Sequence, residues 1–359
     1  MGAPEEGLDV ILRSIAPEET ASQFRISADS SRQQTSAVNQ RLSLLKQGVS
    51  RFSFNGISLS GEPSGGAAGD EAGAPGRLGL FASFQSDGAD RDTTANETGY
   101  EQSGLALTAG ADYAYSPKLF VGLAVGLTSS DLDYNERGGT LETDILSFIG
   151  FTTWYHQQFS IDLQIGYGAI DYDSRRRIQY VDATGEVDTL ATSNTEGGQF
   201  ILNGQLQYDW YRDALSLSPY LRLDYVASDI DAYGENNAGG LEVEIQDQSF
   251  SRLTFTAGVQ GSYALNQDWG VLLPTFQSSV LNDTAIDQED VVGRFAFDPD
   301  QSNTFTLIQD EEDALYFQLG VGVIALFPQG FSVFAEYLQT LAYDNVAIYQ
   351  IQAGFRYEL

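Results

Sequence analysis

Apolar side chains recur at every second position along most of this chain, most cleanly in its last nine residues. Ile351, Ala353, Phe355, Tyr357 and Leu359 fall on one side of an extended strand, and Gln352, Gly354, Arg356 and Glu358 on the other. The same alternation runs through Leu105, Leu107, Ala109, Ala111, Tyr113 and Tyr115, set against Thr108, Gly110 and Asp112. After Ser116 and Pro117 comes a partner: Leu119, Val121, Leu123, Val125 and Leu127 against Gly122, Ala124, Gly126 and Thr128, which predicts a hairpin with one apolar face. Further strands of this kind begin near Phe159, Leu202, Leu215, Leu253, Leu315 and Phe331. Residues 141–154 and 271–280 alternate poorly and are assigned as strands because their neighbours need partners. The count between Arg77 and Leu359 comes to about twelve, the even number that a bacterial single-chain barrel requires, with ten and fourteen left open.

Connections sort into two sets. Tight ones fall at Ser116 and Pro117, at residues 155–158, 211–213 and 266–268, and at Pro328, Gln329 and Gly330, after every second strand. Long polar ones fall at residues 87–102, 182–195, 233–246 and 282–313. That asymmetry predicts a transmembrane, antiparallel, up-and-down β-barrel with short turns in the periplasm and long loops outside. Aromatics near strand ends, such as Tyr113, Tyr167, Trp210 and Tyr263, predict girdles at headgroup level.

The chain starts differently. Leu8, Ile11, Leu12 and Ile15 have helical spacing, and Val38, Leu42 and Leu45 make a second narrow stripe before Gly48, with an almost wholly polar surface between. A helix with so little apolar face is unstable alone in water and suits the inside of a hydrated channel. Residues 1–60 are therefore expected to be a helical pre-barrel segment or plug, 61–76 a Gly-, Ala-, Ser- and Pro-rich flexible linker, and 77–359 the barrel.

Composition agrees with an outer-membrane barrel. No run of about 18 apolar residues is long enough for a helical span. The chain of 359 residues has 19 Tyr, 21 Phe, 37 Gly and no Cys. A net charge of −32 with only two lysines, Lys46 and Lys118, excludes broad nucleic-acid binding, which needs clustered cations. Acidic loop clusters such as Asp310, Glu311, Glu312 and Asp313 lack the ligand spacing of a calcium loop, so no metal or other cofactor is expected. Met1 and Gly2 run straight into polar residues, so export implies a leader already removed.

Residues 107–134, 166–180, 218–235, 269–274 and the final AGFRYEL together resemble the C-terminal translocator domain of autotransporters, the type V secretion barrel of Gram-negative outer membranes. The resemblance covers residues 76–359, and Ala16, Pro17, Glu18 and Glu19 are similar to the family's pre-barrel segment. It implies a twelve-stranded barrel with the helix threaded through its pore and a passenger exported with help from the machinery that inserts outer-membrane barrels. It also implies an insertion signal at the end of the chain, carried here by Phe355, Tyr357 and Leu359, although Leu359 stands where the family most often has Phe or Trp. Some members cut the passenger free at an Asn-Asn pair in the pore helix. This helix has only Asn39, so self-cleavage is not expected.

Catalytic chemistry is hard to find. The single histidine, His156, falls in a tight turn on the expected periplasmic rim, away from any serine partner, and reads as a solvated turn residue. Arg175, Arg176 and Arg177 split across two strand faces and read as partners of loop or lumenal carboxylates. The expected function is a non-enzymatic, monomeric translocator and anchor, in contact with outer-membrane lipid, the barrel assembly machinery and its own passenger. Asp162, Asp209, Arg222, Asp224, Arg252, Glu336, Arg356 and Glu358 are its candidate lumen-lining charges. The alternative is a small diffusion pore with the helix as its plug.

Overall fold

A computed structural model describes residues 17, 20, 22–49, 53–54, 57–58, 78–94, 96–135, 138–182, 185–307, 309–310, 314–343 and 345–358. The first helical stripe, the linker 61–76 and Leu359 lie outside the described residues. One helix, α1, spans Ser22–Val49. The barrel strands are β1 Leu78–Arg91, β2 Tyr100–Ser116, β3 Leu119–Tyr134, β4 Gly139–His156, β5 Phe159–Asp182 and β6 Gly185–Tyr208. They continue as β7 Leu215–Ile230, β8 Gln248–Tyr263, β9 Gly270–Gln288, β10 Leu315–Leu326, β11 Phe331–Leu341 and β12 Val346–Glu358.

Each strand pairs antiparallel with its sequence neighbour, and β12 pairs with β1 from Val346↔Arg91 to Glu358↔Gly79, which closes the cylinder. Closure leaves no edge across the apolar band, as lipid demands of a spanning sheet. The two poorly alternating regions are strands, because pairing on both sides fixes them: β4 bonds β3 and β5, and β9 bonds β8 and β10. Most of the strands obey period two. On β12, Ile351, Ala353, Phe355 and Tyr357 are exposed outward while Gln352 and Arg356 are buried inward. Leu123, Leu163 and Val321 are more than 45% exposed, which is tolerable only against hydrocarbon.

The tight turns all lie on one rim. Asp213 and Gln157 adopt left-handed conformations there, with φ of 52° and 56°. Outward aromatics gather beside these turns, including Tyr115, Trp154, Tyr208, Trp210, Tyr263 and Trp269, and Trp154 stacks on His156 at 5.6 Å.

The opposite rim departs from expectation in two places. Of residues 182–195, read as a long polar loop, Asp182 and 185–195 are instead the upper part of a β5–β6 ribbon that stays paired to Asp182↔Gly185. Strand β4 leaves β5 at Arg176, so the ribbon projects beyond its neighbours. The polar residues misled because a ribbon standing in water needs no apolar face, so its strands carry no alternation to read. Second, residues 282–288 of the loop expected at 282–313 belong to β9, and four short segments within 231–247 and 291–307 are strands. Tyr233–Gly234, Val243–Ile245, Val291–Phe295 and Phe305–Leu307 pair in that order as a small antiparallel sheet.

Candidate functional site: a lumen filled by the helix

The helix α1 runs through the barrel. Almost its whole circumference is buried, including polar Gln23, Ser27, Ser30, Gln33, Gln34, Thr35 and Arg41. Polar side chains at that burial are intelligible only if the wall facing them is polar as well. The inward positions of β1–β6 supply that wall with Gln85, Thr108, Thr128, Ser147, Gln164, Gln199 and Asn203, all buried. Gly126 lets the wall come close: a Cβ there would meet the Ser147 Oγ at 2.5 Å, and the Gln34 chain is 3.7 Å away. The helix packs against β1–β7 and reaches the far wall through longer side chains, as where Gln350 Nε2 on β12 donates to Ser36 Oγ at 3.3 Å.

Charged contacts fix the helix along its length. At the long-loop end the Arg25 guanidinium donates twice to the Glu97 carboxylate, through Nη1 and, at 2.9 Å, Nη2. Glu97 also receives Arg91, at 3.0 Å, and Arg91 reaches Asp310 at 3.1 Å, so helix, β1 end and the 289–314 loop meet in one network. Mid-helix, Gln33 donates to Asp87, Gln164 Nε2 donates to Asn39 Oδ1 at 2.6 Å, and Arg32 sits 3.7 Å from Asp283 and 5.5 Å over the Tyr316 ring. Towards the short-turn end, Arg41 donates through Nε and Nη2 to Asp112 Oδ2, with both side chains at most 3% exposed.

An apolar cap closes the long-loop mouth. Phe24, Ile26 and Ala28 at the start of α1 pack with Leu132, Ile145 and Tyr172 of the inner wall and with Val243, Ile245 and Val291 of the small sheet. Phe24 stacks on Phe250 at 5.6 Å, and Thr20 shares a 3.2 Å hydrogen bond with Tyr233. Outside the membrane, hydrogen bonds shape the loop charges. Partial burial pushes Asp310 up, but Thr94, Asn96 and Arg91 outweigh it and hold its carboxyl below the ordinary range.

The sequence-derived candidates lie as follows. Asp162 is buried and accepts from Thr153 Oγ1. Asp209 accepts from Gln207 Nε2 and Ser218 Oγ, both at 2.6 Å. Arg222 donates to Asp224 at 2.9 Å, and Arg252 lies 3.9 Å from Asp283. Glu336 faces a crevice beside the helix. Arg356 is buried within electrostatic reach of Arg41 and Asp112. Of Glu358 only the backbone, on β12, is described. The residues that grip the helix, Asp112, Glu97, Asp87 and Asp283, were not singled out from sequence. The available signal was an acid on the inward parity of an otherwise small-residue strand, which Asp112 carries between Gly110 and Ala114. Arg176 turns inward to Glu235, while Arg175 and Arg177 face out to Glu142 and Asp188.

A closed twelve-stranded barrel with one helix in its lumen defines the class of outer-membrane translocator domains. Residues 80–338 match the autotransporter beta-domain family, and the chain belongs to that family. The translocator domain of the autotransporter NalP from Neisseria meningitidis shares the fold with a TM-score of 0.62, at 16% identity over 78% of this chain and 88% of that one. The β-domain of the Bordetella autotransporter BrkA does so at 0.55, with 17% identity over 78% and 99%. The esterase EstA of Pseudomonas aeruginosa is 25% identical over 197 residues, which is 53% of this chain and 30% of the esterase. The chain thus spans less than a third of that relative's length. Membership of that family makes the chain an outer-membrane translocator domain.

Proposed function

We propose that α1 is the resident end of an exported polypeptide, retained in the pore as both anchor and stopper. The carrying observation is that the helix traverses the lumen, with Arg25 bound to Glu97 at one mouth and Arg41 to Asp112 towards the other. The described start of the helix, with Phe24 and Ile26, lies under the long-loop cap, the side on which a passenger attached before it belongs in this reading. With the short turns periplasmic, the passenger is outside, the direction expected of an exporter. In this reading residues 1–60 are the pre-barrel segment, 61–76 the flexible return to β1, and 77–359 the barrel. The outward apolar and aromatic side chains meet outer-membrane lipid, the barrel acts as a monomer, and Phe355, Tyr357 and Leu359 are its recognition signal for the barrel assembly machinery. Surface activity belongs to the passenger; His156, which closes β4 beside the 157–158 turn rather than lying in it and stacks on Trp154, has no catalytic part.

Deleting residues 1–60 tests this. Export predicts a barrel that inserts, conducts ions far better than the intact chain, and displays nothing. A barrel that inserts with unchanged conductance would remove the lumenal reading. If the deleted barrel gains a large conductance and then serves fully as a pore for small solutes, the plugged-pore alternative gains instead.

A further inference from the structure

The helix stands off from one side of the barrel, and the space it leaves is a row of adjacent cavities that share lining residues. Three cavities of about 40, 90 and 50 Å³ follow one another beside α1, the first two against β6–β12 and the third also against Asp87 and Ala89 of β1 and Gln102 of β2, each able to hold several waters. The first begins at Ser216 and Ser262 near the short-turn rim. It joins the second through Gln40, Gln260, Gln277 and Glu336, which line both. The second joins the third through Arg32, Gln318 and Gln350, and the third reaches Ala89, Thr340 and Ile348, close to the opposite ends of β1, β11 and β12. The apolar cap is built on β2–β8 and the small sheet, so it lies over the other part of the mouth.

We propose that this crevice is a path for monovalent cations in the helix-occupied barrel, with Glu336 as its binding point. The proposal rests on the reading that α1 is resident in the lumen. Its walls carry Asp29, Asp87, Asp209, Asp224 and Glu336 against Arg32 and Arg222. Most of these are already engaged. Arg222 is paired with Asp224, Arg32 stands between Asp29 and Asp283, and Asp87 and Asp209 accept side-chain hydrogen bonds. Glu336 differs: among the described residues it has neither an ion pair nor a hydrogen bond. Around it, at the junction of two cavities, stand the amides of Gln40, Gln260 and Gln277, whose carbonyl oxygens can replace part of a cation's hydration shell. Once ionised, a carboxyl group that shares its cavity with amide side chains attracts cations and repels anions, and it binds a monovalent ion weakly enough to release it.

The full chain, refolded and inserted into planar bilayers under a KCl gradient, tests the path. The expected result is a small, steady conductance whose reversal potential lies on the cation side. Glu336→Gln should lower the cation-to-anion permeability ratio on the order of fivefold, as the loss of one unpaired charge in a wet lumen predicts. Glu336→Asp should keep the selectivity, and Glu142→Gln, an outward-facing control, should leave it unchanged. Trypsin protection of Arg32 and Arg41 reports residency of the helix independently. A silent or anion-selective barrel with a protected helix overturns the cation path alone, as does a Glu336→Gln barrel with unaltered selectivity. A large conductance indifferent to residue 336, with Arg32 and Arg41 cleaved, overturns the path and the resident helix together.

Discussion

Substituting Asp112→Asn should release the helix from the lumen. Asp112 is 3% exposed and its carboxylate takes two donations from Arg41, itself 1% exposed and 5.5 Å over the Phe81 ring. Arg356 lies within electrostatic reach of both. Neutralising the acid therefore leaves two enclosed guanidinium groups facing one another with their shared counter-charge removed. Breaking a buried pair from one side costs about 3–5 kcal/mol. At the lower figure, the equilibrium between helix seated and helix released shifts on the order of 100-fold. Arg41→Met should cost less, because Asp112 keeps the positive charge of Arg356 within electrostatic reach. The double variant Arg41→Met with Asp112→Leu should recover most of the loss, since apolar replacement of both partners of a buried pair is often close to neutral. The assay is the frequency of large-conductance openings in planar bilayers, read beside trypsin cleavage of the helix. If Asp112→Asn changes both by less than about threefold, the pair does not hold the helix, and the reasoning from burial to retention fails.

Three further outcomes follow from the same geometry. Gly126→Leu, which forces a side chain towards Ser147 and Gln34, should unseat the helix while the barrel still shows the heat-modifiable gel mobility of a folded cylinder. Phe24→Ala should cost about 3–5 kcal/mol of cap packing, seen as faster proteolysis of the 289–314 loop; a loop equally resistant in both proteins would count against a cap anchored on the helix. The link between Asp310 and the 92–99 loop should survive mild acid. Its carboxyl is held below the ordinary range, so its contribution is complete above the unfolded value near pH 4 and vanishes only as the pH falls through the lower folded value. Loop proteolysis that begins near pH 6 would contradict this.

Period-two alternation made the barrel legible, because strands in a membrane must present one face to hydrocarbon and the other to a wet lumen. The alternation on β2, β3, β5 and β12 comes directly from that constraint. It failed on β4 and β9, where neighbours enforce pairing that the side chains do not advertise, and on the β5–β6 ribbon above the membrane, where no hydrocarbon imposes a pattern. The candidate charges were legible only as a parity: Asp209, Arg222 and Arg252 had to face inward, but parity carries no information about height along the barrel.

The sequence by itself determined that the C-terminal three-quarters form a closed antiparallel cylinder and that the preceding helix is too polar to stand alone. Tertiary structure decided which carboxylate meets which arginine, since Arg41 and Asp112 are 71 residues apart and converge only when closure sets the register. It also decided that two polar loops fold into a sheet over Phe24. Their buried apolar residues Val243, Ile245 and Val291 pack with one another, the helix end and the inner wall, a contact that no local pattern encodes.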